Sequence, residues 1–413
     1  MSCRHHTTII GEGVATTTVK HIRLLIPILI AGSGIVTNSA PVRTRTVEQQ
    51  ENGPFVHNTS EGKWSAAPRI GLTFLEMLGE RDDDNYIFYE PKAVTADREG
   101  NIYVLDSKNH RVQVFDHDHD YLFSFGRQGQ GPGEFQRVEC IDLDAAGNIY
   151  VGDPGNARIE VFDPSGTYLR SIRVRSTNIV FRMMQNGNIL LRNPDLDGGR
   201  GLKEDHVPLF RVLDNDGNHI REFGQGRFFT RHPYTTGGNR SLMAMGKNDN
   251  ACMAFLFQNR ISMYSPDGDH LFTADRPLPQ EKMINRELEM YTTINSGLDI
   301  DAKGRIWVVT YTRKWERGEI ITRSYFDGEE QISGDRSQTE TDLFEIQIFD
   351  ADGVLLQKIP LTHYCDYLKI IDNRVYILDS DRLMQFYVYE IDEVNEPSLD
   401  SSGSAHSDPW YYH

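Results

Sequence analysis

The chain has 413 residues, of which 38% are hydrophobic and 25% charged, a composition typical of a globular protein with an ample core. Its formal net charge of -17 argues against nucleic acid as a partner, because phosphate binding requires a concentrated basic surface. The four cysteines show no CxxC spacing and are too few for a disulfide framework, so Cys140 and Cys365 are predicted to be buried free thiols.

The N-terminal segment has the pattern of an export signal. His21-Ile22-Arg23 precedes a short apolar run, Leu24 to Ala31, which is followed by small residues. The run is too short to be a comfortable membrane span, so no stable span is expected in the mature chain. Residues 1–40 are therefore predicted to be an export signal region, with Val19 as a candidate for the true start. An uncleaved anchor helix is the alternative, and the mature protein is expected in the periplasm or outside the cell.

A repeat of 47 residues organises the chain that follows. Gly100-Asn-Ile-Tyr-Val-Leu-Asp106 returns as Gly147-Asn-Ile-Tyr-Val-Gly-Asp153, and the two β-like runs behind each copy return as well. An internal period of this length, made of short β-runs separated by polar turns, predicts a repeat architecture for the whole chain.

Six such units can be counted, and they predict an all-β fold. The sixth unit lacks a fourth strand, whereas Ile70 to Gly79, ahead of the first unit, has the alternation of one. We therefore predict a six-bladed β-propeller of four-stranded antiparallel blades over residues 69–391, closed by an N-terminal strand that places Phe74 beside Tyr389. Residues 41–68 are expected to be a flexible leader and residues 392–413 a polar C-terminal tail. The second strands begin at Asn101, Asn148, Asn188, Asn250, Arg305 and Arg374.

The repeats resemble those of NHL-repeat six-bladed propellers, a group that includes many secreted bacterial proteins. The resemblance is strongest over residues 91–126 and 136–174, where Gly-Asn-Ile-Tyr-Val is followed by Asp and then by Asn-x-Arg. Blades three to six keep the strands but are interpreted as losing the Asp and Asn-x-Arg positions. In the first two blades, Asp106 with Arg111 and Asp153 with Arg158 are expected to form cross-strand ion pairs.

The longest loops are predicted to rise from one face of the ring, because loops between second and third strands share that face with the connections between blades. Residues 312–342 form the longest, unless they are a disordered insertion. Arginine and aromatic side chains in these loops suit anionic, polar or peptide ligands. The favoured function is therefore a monomeric binding scaffold for a protein, peptide or glycan. The candidate ligand-binding residues are Arg127, His232, Tyr234, Arg240, Arg313 and Trp315.

A metal-dependent enzyme is the alternative, although an enzyme is the less favoured interpretation and no other cofactor is expected. Six-bladed lactonases of the gluconolactonase and paraoxonase type hold Ca²⁺ at the centre of the ring, which the resemblance would extend to a site near the starts of four inner strands. Amidating lyases of the NHL type use three histidines, but no local motif of theirs occurs here. The candidate calcium ligands are Glu139, Asn178, Asn295 and Asp366, and the loop histidines are His110, His206, His232 and His363.

Overall fold

Six blades of four antiparallel strands each form a propeller, which confirms the predicted fold, and an N-terminal hairpin extends the sheet of blade four to six strands. The structure is a computed structural model. It describes residues 45–50, 53–81, 83–198, 202–203, 206–228, 238–279, 284–285, 290–291, 293–316, 318–326 and 329–394.

The strands of each blade are numbered outward from the axis of the ring. The first strands contact those of the neighbouring blades. They are Pro91–Ala96, Cys140–Leu143, Phe181–Met183, Ser241–Met245, Asn295–Ile300 and Tyr367–Ile371. The second strands are Ile102–Asp106, Ile149–Asp153, Ile189–Arg192, Ala251–Phe255, Ile306–Tyr311 and Arg374–Asp379. The third strands are Arg111–Phe115, Arg158–Phe162, Pro208–Leu213, Ile261–Tyr264, Glu340–Phe349 and Gln385–Glu393. The fourth strands are Tyr121–Phe125, Tyr168–Arg173, His219–Gln225, His270–Asp275, Leu355–His363 and Ile70–Leu78.

Buried apolar second strands and polar turns explain why the sequence folds into these hairpins. Second strands lie in the middle of each blade and are covered on both faces, so Val104 and Val151 are fully buried. The turn before the second strand of blade one is held by Asp97, whose Oδ1 accepts from the backbone nitrogens of Glu99 and Asn101, each at 2.9 Å. Gly100 in the same turn has a φ of +88°, a conformation that favours glycine.

The ring is closed by the N-terminal strand, as predicted. Ile70–Leu78 pairs antiparallel with Gln385–Glu393, and Phe74 lies directly opposite Tyr389. The two aromatic rings meet edge to face with their centroids 5.6 Å apart. The last blade is therefore built from both ends of the propeller, and none of its four strands is missing.

The predicted flexible leader is wrong for residues 45–58, which form a hairpin. Its strands are Arg45–Gln50 and Gly53–Asn58, and the second runs parallel to the outer strand of blade four. Asn58 anchors it, because its amide donates to the carbonyls of Asp275 and Gly353 at 3.0 Å each and accepts from Leu355 N at 2.8 Å. Apolar periodicity could not reveal this docking, since it depends on backbone pairing and one asparagine.

The remaining elements are small. Asp84–Tyr86 is a 3-10 turn and Asp195–Gly198 a single α-helical turn, while two further hairpins are formed by Ile284–Asn285 with Met290–Tyr291 and by Thr322–Phe326 with Glu329–Ser333. Cys140 and Cys365 are buried free thiols, as predicted, and so is Cys252. Within the described ranges no helix is long and apolar enough to cross a membrane. The predicted signal region at 1–40 and the tail beyond residue 394 lie outside the described residues.

Replacing Leu78 by alanine tests how much the closing strand contributes to stability. Leu78 is 2% exposed and packs in the core shared with Phe386, so the variant should unfold with a free energy lower by about 3 kcal/mol. Urea unfolding measures this loss. Leu75→Ala in the same strand is the control, because Leu75 is 41% exposed and its truncation should cost less than about 0.5 kcal/mol. Equal losses in the two variants would contradict a buried role for the strand.

Candidate functional site

The central channel is filled with side chains that tie blades together. Arg182 of blade three donates to the carbonyl of Met243 in blade four at 3.3 Å. Asp142 accepts from Met183 N at 2.8 Å, which joins blade two to blade three. The Tyr367 hydroxyl donates to the Val94 carbonyl at 3.2 Å and joins blade six to its neighbour, blade one. The polar groups inside the channel therefore serve largely to hold the ring together.

A second polar cluster lies on the loop face, at the base of the blade-five insertion formed by residues 312–342. Arg313 donates two hydrogen bonds to Glu319, at 2.6 and 2.9 Å, and its Nε donates to Asp342 at 3.0 Å. Trp315 packs against the core shared by blades five and six. Bidentate pairing of this kind fixes the geometry of a loop as well as its charge. The start and end of the insertion are thus held together.

Blade six meets the insertion through Arg382. Its guanidinium lies 3.2 Å from the centroid of the Tyr364 ring and donates to the carbonyl of Glu319. Tyr364 is almost fully buried, yet its hydroxyl has no hydrogen-bond partner in the described part of the chain, and the same holds for Arg382 Nε. We call Tyr364, Asp366, Asp379 and Arg382 the insertion base.

Asp379 belongs to the insertion base and departs from its counterparts in other blades. In blade one, Asp106 accepts from Tyr89 N at 2.7 Å with one oxygen and from Asn109 and Arg111 with the other. Asp379 occupies the same repeat position and accepts from Arg382 N at 2.9 Å, but its Oδ2 is buried without a partner among the described residues. A buried acceptor left open in this way favours a role in binding.

Asp366 lies beside Asp379 and is held by Ser380. Its Oδ2 accepts from the backbone nitrogen of Ser380 at 3.0 Å and from the Ser380 hydroxyl at 2.9 Å. Desolvation by the surrounding protein, together with the nearby carboxylates of Asp381 and Asp379, raises the pKa of Asp366 to about 6, although the residue is exposed at the surface. This group therefore titrates closer to neutral pH than an ordinary aspartate.

The structure brings three of the predicted site residues, Arg313, Trp315 and Asp366, to this part of the loop face. Arg127 lies elsewhere, in an exposed ion pair with Glu134 at 2.8 Å. Arg240 opens the inner strand of blade four and is exposed. His232 and Tyr234 lie outside the described residues.

Sequence reasoning missed Tyr364, Asp379 and Arg382. Asp379 could have been found, because Ile377-Leu378-Asp379 matches Val104-Leu105-Asp106 in the repeat, so blade six does keep this Asp. Its open oxygen could not have been predicted, since it depends on which donors surround the carboxylate.

Two of the four candidate calcium ligands, Asn295 and Glu139, already have partners in the structure. Asn295 is fully buried, and its amide oxygen accepts from Arg276 at 2.7 Å and from Thr310 at 3.3 Å, which occupies both lone pairs. Glu139 lies 3.4 Å from Arg137, a cation that would oppose a metal ion. Asn178 Oδ1 is buried without a partner in the described chain. Among the described residues, no group of three or more histidine, cysteine, aspartate or glutamate side chains could hold a metal ion.

The described loop histidines have separate surroundings. His206 lies 3.6 Å from Glu222, and His363 stacks on Tyr387 with the ring centroids 4.2 Å apart. His110 has a φ of +54° at the tip of its turn.

Only one of the two expected cross-strand ion pairs forms. Arg111 Nε donates to Asp106 at 2.9 Å, as predicted. The prediction is wrong in blade two, where Arg158 instead pairs with Glu160 and donates to the carbonyls of the 127–136 connection. Asp153 accepts from the backbone nitrogens of Gln136 and Arg137 at 2.9 Å each. The longer connection in blade two supplies closer partners for both residues.

Comparisons with known proteins agree with this architecture. The DUF5128 family, described as a six-bladed β-propeller, matches residues 82–274, which span blades one to four. A Bacteroides fragilis protein described as predicted to be exported superposes with a TM-score of 0.54 at 11% identity, over 83% of this chain and 100% of its own. A Bacteroides vulgatus member of the DUF4221 family gives 0.52 at 12% identity, over 79% and 99%. At these identities the likeness concerns the fold alone.

A local sequence match occurs with the E3 ubiquitin-protein ligase TRIM71 of Xenopus tropicalis, at 43% identity over 65 residues. It covers 16% of this chain and 8% of that protein, so the two share only a short segment. The fold and the family match make this chain a six-bladed β-propeller protein, as its resemblance to NHL-repeat propellers implied.

The raised pKa of Asp366 leads to a pH-dependent stability that can be measured. Between about pH 4 and 6 the folded protein binds a proton at Asp366 that the unfolded chain has already released, so this group lowers stability as pH rises through that window. Because Asp366 is exposed, solvent screens this effect, so Asp366→Asn should raise the free energy of unfolding at pH 7.5 by no more than about 1 kcal/mol and have little effect at pH 4.

Urea unfolding at the two pH values tests this expectation. Asp342→Asn is the matched control, because hydrogen bonding to Arg313 lowers the pKa of Asp342 and its removal should cost stability at pH 7.5 instead. A gain from Asp366→Asn that is the same at both pH values would contradict the assignment.

Proposed function

We propose that this protein is an exported β-propeller that binds a protein, peptide or glycan through its loop face. The observation that carries this proposal is the insertion base, where Tyr364 and Asp379 each keep one buried polar atom without a partner among the described residues, next to an anchored loop. Buried polar groups in folded proteins are normally hydrogen-bonded, and exceptions concentrate where a ligand or ordered water completes the bonding.

The charge and anchoring of the loop face support recognition rather than mere connection. Arg313 is fixed by Glu319 and Asp342, so the two ends of the insertion are held in place before a ligand binds. Trp315, half-buried, and Arg240, exposed, are residue types that contribute strongly to binding energy at interfaces. Together they suit a ligand with both polar groups and flat apolar surface.

Array binding with loop-face variants tests the scaffold. Purified protein is screened on peptide and glycan arrays, and the strongest hit is titrated against Trp315→Ala and Arg240→Glu. Each substitution should lower affinity at least about tenfold, the loss that one interface anchor typically causes. Arg98→Glu, on the opposite face, is the control and should leave affinity unchanged. Loss of binding in the control alone would place recognition on the other face and contradict the proposal.

A metal-dependent lactonase or lyase predicts different behaviour. Stoichiometric Ca²⁺ or Zn²⁺ in the purified protein, with a melting temperature that falls in chelator, would favour that enzyme over the scaffold. The scaffold predicts a melting temperature that chelator does not change. Because Asn295 is already fully bonded, the scaffold remains the favoured function.

Export is the second part of the proposal, supported by the cationic start and the Leu24 to Ala31 apolar run. Fusing residues 19–44 to alkaline phosphatase lacking its own signal should give activity in the periplasm. Arg23→Glu with Leu25→Asp should abolish that activity, because both the charge and the apolar core of the signal are lost. Equal activity from the two fusions would remove the export signal.

A further inference from the structure

Positive charge is concentrated on one side of this acidic protein. Although the formal net charge is -17, residues 168–276 contain 15 lysine and arginine residues against 11 aspartate and glutamate residues. This stretch builds the outer strand of blade two and all of blades three and four. Ligands of opposite charge are drawn to such a region even when the whole molecule repels them.

A groove of about 770 Å³ runs along the outer wall between blades three and four, beside the N-terminal hairpin. We call it the rim groove. It lies outside the loop-face cluster described above, and none of the residues of the insertion base contributes to it. Its lining includes Phe55, Gly224, Arg227, Arg260, Tyr264 and His270.

Two arginines in the rim groove lack a carboxylate partner in the described part of the chain. Arg260 donates to the Ser262 hydroxyl at 3.0 Å and to the Gln225 carbonyl at 3.1 Å, both neutral acceptors. Arg227 is exposed, and Asn239 bonds only its backbone. Both residues line the groove, and burial, with a smaller contribution from the charge of Arg227, lowers the pKa of Arg260. Uncompensated neighbouring cations favour an anionic ligand.

The lower end of the groove carries one carboxylate, Asp269. It belongs to the turn before the outer strand of blade four, where its Oδ2 accepts from the Ser265 hydroxyl at 3.5 Å and its backbone nitrogen donates to the same oxygen at 3.0 Å. This carboxylate is engaged in its own turn, so the two arginines keep the charge excess.

The groove walls argue against a peptide strand as the ligand. Arg221 donates to the carbonyl of Asp267 at 2.7 Å and closes the gap between the blades below Phe223. Gly268 packs there so closely that an added Cβ would lie 2.9 Å from Phe223 Cβ. The part of blade three that lines the groove is residues 224–227, whereas strands in proteins are usually about five to six residues long. A ligand held by side-chain contacts suits this opening better than one added as a strand.

Aromatic side chains lie near the guanidinium groups. Phe55, half-buried, stacks on His57 with the ring centroids 4.5 Å apart, and the Tyr264 and His270 rings meet edge to face at 5.2 Å. A sugar ring presents apolar C–H surface to an aromatic face, while a carboxylate on that sugar can pair with arginine. We propose that the rim groove binds an acidic polysaccharide whose uronate carboxylates pair with Arg227 and Arg260.

Affinity electrophoresis in gels containing polygalacturonate tests this site on the full chain. Polygalacturonate should retard the wild-type protein, with the retardation decreasing as NaCl is added, whereas neutral pullulan should not. Arg227→Gln should weaken binding about tenfold, the contribution typical of a charge-assisted pair, and Arg260→Gln at least as much. Arg98→Gln removes one positive charge from the far side of blade one and should bind like wild type. Trp315→Ala should also bind normally, which separates this site from the loop face.

Several outcomes would overturn the rim groove as an acidic-sugar site. Absence of retardation at low salt would do so, as would equal weakening by Arg98→Gln, since that result indicates unspecific attraction. Equally strong binding of poly-glutamate would assign the groove to acidic polymers in general. Should Arg260→Gln fail to fold, the exposed Arg227→Gln decides the question, because its side chain has no structural partner among the described residues.

Discussion

The propeller depends on a carboxylate that closes the turns on one of its faces. In seven hairpins an aspartate accepts from the backbone nitrogens two and four residues later, at 2.8 to 3.0 Å. This bonding sets the turn and therefore the register of the two strands it joins. One face of the ring is thereby held to a short repeated design, while the other is free to carry long loops. The seven aspartates are Asp97, Asp116, Asp144, Asp163, Asp214, Asp301 and Asp350.

Features encoded by local pattern were predictable from the sequence. The blade count, the strand positions and the closing strand at Ile70–Leu78 all follow from apolar alternation between polar turns, and the structure has each of them. The hairpin at 45–58 was not predictable, because its only deep anchors are Val56 and Asn58. Its docking depends on an outer strand about 220 residues away in the sequence that offers unpaired backbone groups.

The candidate site was only partly predictable for a related reason. Asp106 and Asp379 occupy equivalent positions, but Asn109 and Arg111 complete the bonding of the first, whereas the second keeps an open oxygen. A repeat tells which residues share a position and not which neighbours complete their bonding. Residues of different blades supply those neighbours here, as Glu319 does for Arg382. Departures from the repeat are therefore where function is best sought.

The pairing of Ile70–Leu78 with Gln385–Glu393 also determines when the molecule can finish folding. The partners lie about 300 residues apart in the chain, and contacts of such separation form slowly because a long loop must be closed first. During synthesis the early strand has to wait, with Leu78 unburied, until nearly the whole polypeptide has emerged. Blades one to five can assemble in order, but the ring can close only after the strand Gln385–Glu393 has been made.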